Sequence, residues 1–322
     1  MSAMIDMSNG RANMAYVGKK PWHGLGADMP DDASLDQWRI EAGLSWEAVR
    51  GEALVRTNTG LVSTGDQFLY RSDNQTVLGH VTKRYKVVQP EQVVEFYRDL
   101  CEEYDFRMET LGALDDGKRV WALAKSGEYF RLKGQDQVDS YVLLATSYDG
   151  KMATRAMFTS VRVVCHNTLS MAMAGQDGVS IGHRSEFNSD SVKAQMGLRG
   201  ETFKVFQQHA DNMSEVGVNQ AAAVQFLTQI LAGEDAKVEK LSTRQGNIVQ
   251  NVLNLFEGNG MGADYTSSKG TVWGLVNSVT EYVDHQYGRN QNNRLRAAWF
   301  GKGNDMKNKA FDKALTLVQQ AA

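Results

Sequence analysis

The chain has 322 residues, 42% of them apolar, and a formal net charge of −3. That length suffices for one large core or two modest ones, and the near-neutral charge excludes the global basic field of a histone-like or polybasic nucleic-acid binder. No run of about 18 apolar residues is present to span a bilayer. The polar N-terminus carries no apolar secretion stretch, and the two cysteines, Cys101 and Cys165, read as reduced thiols of a cytoplasmic protein.

Near the start, Trp22-His23-Gly24-Leu25-Gly26 follows Pro21. An indole, an imidazole and two glycines suit neither helix nor strand; Gly24 and Gly26 describe a tight loop. Trp22 then serves as an anchor to the sheet, while His23 either contacts a ligand or closes the loop by a structural hydrogen bond. Residues 36–42 read as a helix and 46–50 as an extended segment, parted by Gly43. Strands are expected over 67–72 and 76–85 about a turn at Asn74. Pro90 opens a helix whose apolar residues Val93, Phe96, Tyr97, Leu100 and Cys101 repeat at helical spacing.

Two hairpins follow. Residues 106–111 and 119–125 flank Asp115-Asp116-Gly117, and residues 141–148 and 153–165 flank Asp149-Gly150-Lys151; both carry the Asp-Gly turn signal. After His166-Asn167 comes a short helix-like run over 169–173, with Asn167 as its cap, and then one more strand over 179–184. Beyond residue 190 the pattern turns helical, with the cleanest apolar stripe at Val272, Leu275, Val276, Val279, Tyr282 and Val283. The expected class is α+β: an antiparallel sheet of consecutive β-hairpins packed with a helix, then a mainly helical C-terminal region. The divisions are 1–60, an N-terminal segment with the glycine loop; 61–188, the α+β core; and 189–322, helices packed on that core.

Several motifs recur together in one order: Pro-Trp-His-Gly-Leu-Gly at 21–26, Lys83-Arg84-Tyr85-Lys86, Val163 to Leu169 with Cys165-His166-Asn167, Trp273-Gly274, Thr280 to His285, and Trp299-Phe300-Gly301. On these the chain resembles the phage/plasmid-like family of unknown function (the domain-of-unknown-function 932 type), over nearly its whole length. Membership implies a cytoplasmic accessory protein of a mobile element and carries no catalytic mechanism. The succession of hairpins, helix and helical tail is also similar to that of phage single-strand annealing proteins, a likeness of fold alone.

Lys83, Arg84, Tyr85 and Lys86 form the strongest basic-aromatic cluster. Three cations around a tyrosine suit phosphate contact and base stacking, the means by which single-strand binders work; otherwise they are a solvated strand end with Tyr85 packed beneath. Lys151, Arg155 and Arg162 extend the groove if they share a face, although Arg155 and Arg162 stand an odd number of residues apart, on opposite faces of an unbroken strand. Tyr148 is a second stacking candidate. A further basic stretch over 286–313 surrounds Trp299, which either stacks on a ligand or packs against the helix of Tyr282.

Glu281 and His285 share a helical face at a spacing that suits metal or acid–base chemistry, but no second ligand pair completes a set, and the polar face of an amphipathic helix explains them as well. Cys165 and His166, neighbours on a strand, point apart and make no catalytic pair. Walker, dinucleotide, zinc-finger and serine-hydrolase signatures are absent. The expectation is a binding protein rather than an enzyme, without cofactor or metal. Its partner is single-stranded DNA, and it forms a homo-oligomer that promotes strand annealing. The rival reading is a mobile-element factor that contacts a host or phage protein and no nucleic acid.

Overall fold

A computed structural model describes residues 5–8, 10–18, 20–21, 24–162, 168–170, 178–196, 201–287 and 302–321, without the side chains at 159–162, 168–170, 201–204, 284 and 304. The fold is α+β. Eleven strands among the described residues form a mixed eight-stranded sheet and a three-stranded antiparallel one. The chain divides into two compact units: one of residues 1–127, 141–157 and 178–196, the other of residues 128–140, 158–177 and 197–322.

In the first unit, β1 (Met14–Val17) runs parallel to β2 (Ala27–Met29) and antiparallel to β6 (Arg107–Leu114). Between β1 and β2 lies the glycine loop. Gly24 and Gly26 both have positive φ, and a Cβ on Gly26 would stand 3.1 Å from both Met14 O and the Tyr16 ring. Helix α1 (Leu35–Glu41) starts under a reciprocal cap between Ser34 and Gln37. The strands β3 (Ala48–Thr57), β4 (Gly60–Arg71) and β5 (Val77–Val81) make the small sheet. β4 is longer than the strand expected from residue 67, and residue 60 lies inside this hairpin.

The helix expected from Pro90 is two: α2 (Pro90–Glu95) and α3 (Arg98–Glu103), broken at Phe96-Tyr97. Both rings are fully buried, and the Tyr97 hydroxyl lies 2.7 Å from the Ala122 carbonyl oxygen and 3.1 Å from that of Val142. These bonds hold the break against the sheet and account for its departure from one continuous helix.

Both expected hairpins are present. β6 turns into β7 (Arg119–Leu132) through Asp115 and Asp116, each at positive φ, and Gly117. β8 (Asp136–Ser147) turns into β9 (Thr154–Arg162) through Asp149 and Gly150. β10 (Thr168–Ser170) and β11 (Val179–Ile181) both pair antiparallel with β9. Thr168 to Ser170 is therefore strand, not the start of the expected helix: the ladder to Thr159–Val161 outweighs local helical preference.

One buried ion cluster ties the N-terminus to the small sheet. The Arg71 guanidinium is fully buried and donates to Asp6, Ser8 and Asp73; it also lies 4.6 Å from the Trp46 ring. Burial alone pushes the Asp6 carboxyl up, but hydrogen bonds from Asn13 and Ser8 and the charge of Arg71 outweigh it and hold Asp6 below the usual carboxylate range.

Helix α4 (Ser189–Met196) belongs to the first unit; the helices of the second among the described residues are α5 (Glu201–Glu215), α6 (Gln220–Ala232), α7 (Thr243–Asn254), α8 (Val272–His285) and α9 (Lys302–Ala321). Their apolar stripes meet around Phe206, Trp273 and Phe311, with the Phe206 ring centroid 5.7 Å from that of Phe311 and 6.2 Å from that of Trp273. Trp273 Nε1 donates to buried Asp136 at 2.9 Å. Next to it, a Cβ on Gly274 would stand 1.8 Å from Ser268 O, so glycine is required there.

Removing Arg71 leaves Asp6 buried without its cation. Arg71→Leu is expected to cost about 3–5 kcal/mol, read as a lower urea midpoint; an unchanged midpoint contradicts the assignment. Because the Asp6 pKa is depressed in the fold, its contribution is present above the ordinary aspartate range and is lost as pH falls through that range, from about pH 4 downward. Acid denaturation curves of Asp6→Asn should be flatter than wild type over that window.

Candidate nucleic-acid interface

Three segments far apart in sequence meet in the first unit: the turn 82–86 after β5, the β8–β9 turn, and the segment 182–186 after β11. They enclose a shallow cleft of about 420 Å³ lined by Thr82, Tyr85, Lys151, Met152, His183 and Arg184, with adjoining glycine and serine backbone. Local geometry explains how each arrives. A Cβ on Gly79 of β5 would fall 2.4 Å from Asp149 Cα, so only glycine lets β5 and the β8–β9 turn approach so closely. Asp149 itself is anchored by Arg119 at 3.1 Å, and its other oxygen accepts the Lys151 N–H at 3.0 Å.

Tyr85 and His183 lock the three segments together. The Tyr85 hydroxyl donates to Ser147 O at 2.7 Å, and its ring stacks on His183 with centroids 4.2 Å apart and planes 15° from parallel. His183 Nδ1 lies 2.9 Å from Lys86 O and Nε2 lies 3.0 Å from Met152 O. The Lys86 N–H donates to His183 O at 2.6 Å, and Arg50 donates to Tyr85 O. Burial raises the Tyr85 phenol pKa well above its ordinary value, so Tyr85 stays a neutral donor.

The aromatic part of the sequence expectation is corrected here. Tyr148 is fully buried, its ring edge-on to Trp46 at 5.4 Å, and no face of it is open to a base. Tyr85 is 8% exposed with its ring covered by His183, which makes it a brace for the loop rather than a stacking platform. Covering the large apolar body of each ring drives both inward; the Tyr85 hydroxyl finds Ser147 O, whereas the buried Tyr148 hydroxyl has no partner among the described residues.

The cations behave differently. Lys83, Arg84, Lys86 and Lys151 are exposed, and Arg184, which the sequence reading did not single out, joins them. Of these, Lys86 forms an ion pair with Glu186 at 3.0 Å, both side chains largely solvated. Arg155 on β9 is half-buried, with a buried Nε that has no hydrogen-bond partner; its backbone pairs with Ser180 of β11, beside the cleft. The side chain of Arg162 falls outside the described residues, as do Trp22, His23, Cys165, His166, Asn167 and Trp299. The signal that could have found His183 and Arg184 was their place directly after Gly182 at a strand end.

Glu281 and His285 belong to the second unit, whereas the cleft is formed by residues of the first. Glu281 is 9% exposed and accepts the Met261 N–H at 3.0 Å, bracing the glycine-rich turn before α8. No group of His, Cys, Asp and Glu that suits a metal ion occurs among the described residues. Burial, aided by Asp99 and Glu102, pushes the Cys101 thiol up to about 11, so it is not an activated nucleophile.

A family model described as Domain of unknown function (DUF932) matches residues 77–299. The chain belongs to the DUF932 family. Comparison with curated proteins and with solved structures finds no match. The DUF932 region holds all three segments of the cleft, whereas β3 and β4 precede it. No helix among the described residues is long and apolar enough to cross a membrane.

His183→Ala removes the stack and the contacts of both ring nitrogens to carbonyl oxygens, of which a neutral imidazole, with its single N–H, makes one a hydrogen bond worth about 1 kcal/mol. Backbone amides of Lys86 and of 179–181 are expected to exchange with solvent faster in that variant; unchanged protection contradicts the bracing role.

Proposed function

We propose that this DUF932 protein binds single-stranded DNA through its phosphates at the cleft of the first unit, and that it serves phage or plasmid DNA metabolism by promoting strand annealing as an oligomer. The observation that carries this reading is a braced concavity lined by Lys151 and Arg184, with Lys83, Arg84 and Lys86 exposed on one of the three segments that form it. Against them stand Glu186, paired with Lys86, and Asp149, turned to Arg119. A net charge of −3 over the whole chain makes such a local excess stand out.

The buried tyrosines reshape the mode of binding. With Tyr85 and Tyr148 withdrawn from the surface, affinity rests on phosphate contacts and their release of counterions, not on base stacking. Binding of this kind is indifferent to sequence and falls steeply with salt. The reading needs no nucleotide cofactor, which agrees with the absence of a Walker motif in the sequence. The link to mobile elements and to annealing rests on the resemblance of the motifs, and the extension of the groove to Arg155 and Arg162 rests on the sequence alone.

The test is fluorescence anisotropy with a labelled thymidine oligonucleotide over a salt series. Lys83→Ala, Arg84→Ala and Lys86→Ala combined should weaken binding and reduce the slope of log K against log salt by about 2, at about 0.7 per phosphate contact. Absence of binding by the wild-type chain at low salt, or a slope the triple variant leaves unchanged, overturns the reading.

A further inference from the structure

The distal part of the β3–β4 hairpin stands unsupported. β5 pairs with Gln67 to Tyr70 of β4 and goes no further, so from Leu54 to Gly65 the two strands have only each other among the described residues. Four aliphatic side chains sit there in solvent: Leu54 is 47% exposed, Val55 52%, Leu61 63% and Val62 50%. They occupy both faces of the ribbon, since Leu54 and Val55 are adjacent on β3 and point oppositely. A two-stranded ribbon is marginal by itself in water, and an uncovered apolar edge is a template for another strand.

We propose that the outer edge of β3 pairs antiparallel with the same edge of a second copy of this chain, with Leu54 on the two-fold axis. The charges choose both the occupant and the register. Glu52 and Arg56 are exposed and form no ion pair among the described residues. With the axis at Leu54, Glu52 of each copy stands opposite Arg56 of the other, and Leu54 faces Leu54. Opposite charges directly across a strand pair stabilise it. Moving the axis to Ala53 sets Arg50 against Arg56 of the second copy; moving it to Val55 sets Arg56 against Leu54 and leaves Glu52 without a cation. The one favourable register is self-complementary, as a two-fold contact requires.

The strand geometry permits it. The irregularity between Glu52 and Leu54 sets Thr64, Gly65 and Asp66 of β4 against Ala53 alone, so the bulge lies on β4 and β3 runs for 10 residues along the outer edge. The resulting four-stranded ribbon brings Leu54 and Leu61 of both copies onto one face, and sets Val55 opposite Ala53 on the other. A strand edge buries less than a standard interface of about 1,600 Å², so the dimer is a reversible one.

Sedimentation velocity of the full chain over a micromolar concentration series tests this. Wild type should show a concentration-dependent dimer. Glu52→Arg and Arg56→Glu, each alone, place like charges opposite each other twice and should weaken the dimer by about tenfold. An equimolar mixture of these two variants restores complementarity across the axis and should dimerise as wild type does. A wild-type chain that stays monomeric, single variants that associate undiminished, or a mixture no tighter than its components overturns the proposal; a dimer made through other residues, or an edge reserved for another protein or a nucleic acid, gives one of these results.

Discussion

The stacked pair of Tyr85 and His183 is the constraint on which the cleft depends. Tyr85 sits in the turn after β5, His183 in the segment after β11, and their contacts reach Ser147 and Met152 on either side of the β8–β9 turn. Apart from the stack, the turn 82–86 is tied to the other two segments by the Lys86 N–H bond to His183 O, the solvated Lys86–Glu186 pair and the Tyr85 hydroxyl bond to Ser147 O. With the stack in place, Lys151 and Arg184 line one concavity without being neighbours in sequence, and the exposed cations of 83–86 stand on a segment that borders it. Long cationic side chains lose conformational freedom when they bind phosphate, and a rigid backbone beneath them limits what remains to be ordered.

Support for that brace comes from farther inside the unit. Asp149 at the β8–β9 turn is held by Arg119, Tyr148 beside it packs edge-on to Trp46, and Trp46 carries the buried Arg71 guanidinium on its ring. Arg71 in turn binds Asp6 and Asp73. Buried charges are tolerable when each finds a counter-charge and hydrogen bonds. Here they also connect the N-terminal residues, the small sheet and the turn that bears Lys151, so polar contacts link regions that the apolar core alone would leave adaptable.

The regular elements were legible in the sequence where local chemistry decides. Asp115-Asp116-Gly117 and Asp149-Gly150 gave their hairpins away because positive φ needs such residues, and α8 showed its apolar stripe plainly. Legibility failed where distant partners decide. Thr168 to Ser170 reads as helix until β9 is beside it. The β3–β4 arm was missed because Leu54-Val55 and Leu61-Val62 come as adjacent pairs, so no alternation marks them as strand. Tyr85 read either as a stacking ring amid lysines and arginine or as a ring packed beneath a solvated strand end; that it is covered depends on a histidine 98 residues later. The exposure of Lys83, Arg84, Lys86 and Lys151 is easier to foresee than the cover over Tyr85 and Tyr148, because charge mostly stays at the surface whereas the burial of a tyrosine is settled by the fold.

The central claim is that the segments 82–86, 150–153 and 182–186 act as one surface toward a phosphate chain. Hydrogen–deuterium exchange of the full chain, with and without a saturating thymidine oligonucleotide at low salt, tests it most directly. The account predicts that amides of all three segments gain protection together, and that the gain disappears when salt displaces the DNA. Protection confined to the helical second unit, or limited to one of the three segments, would contradict it.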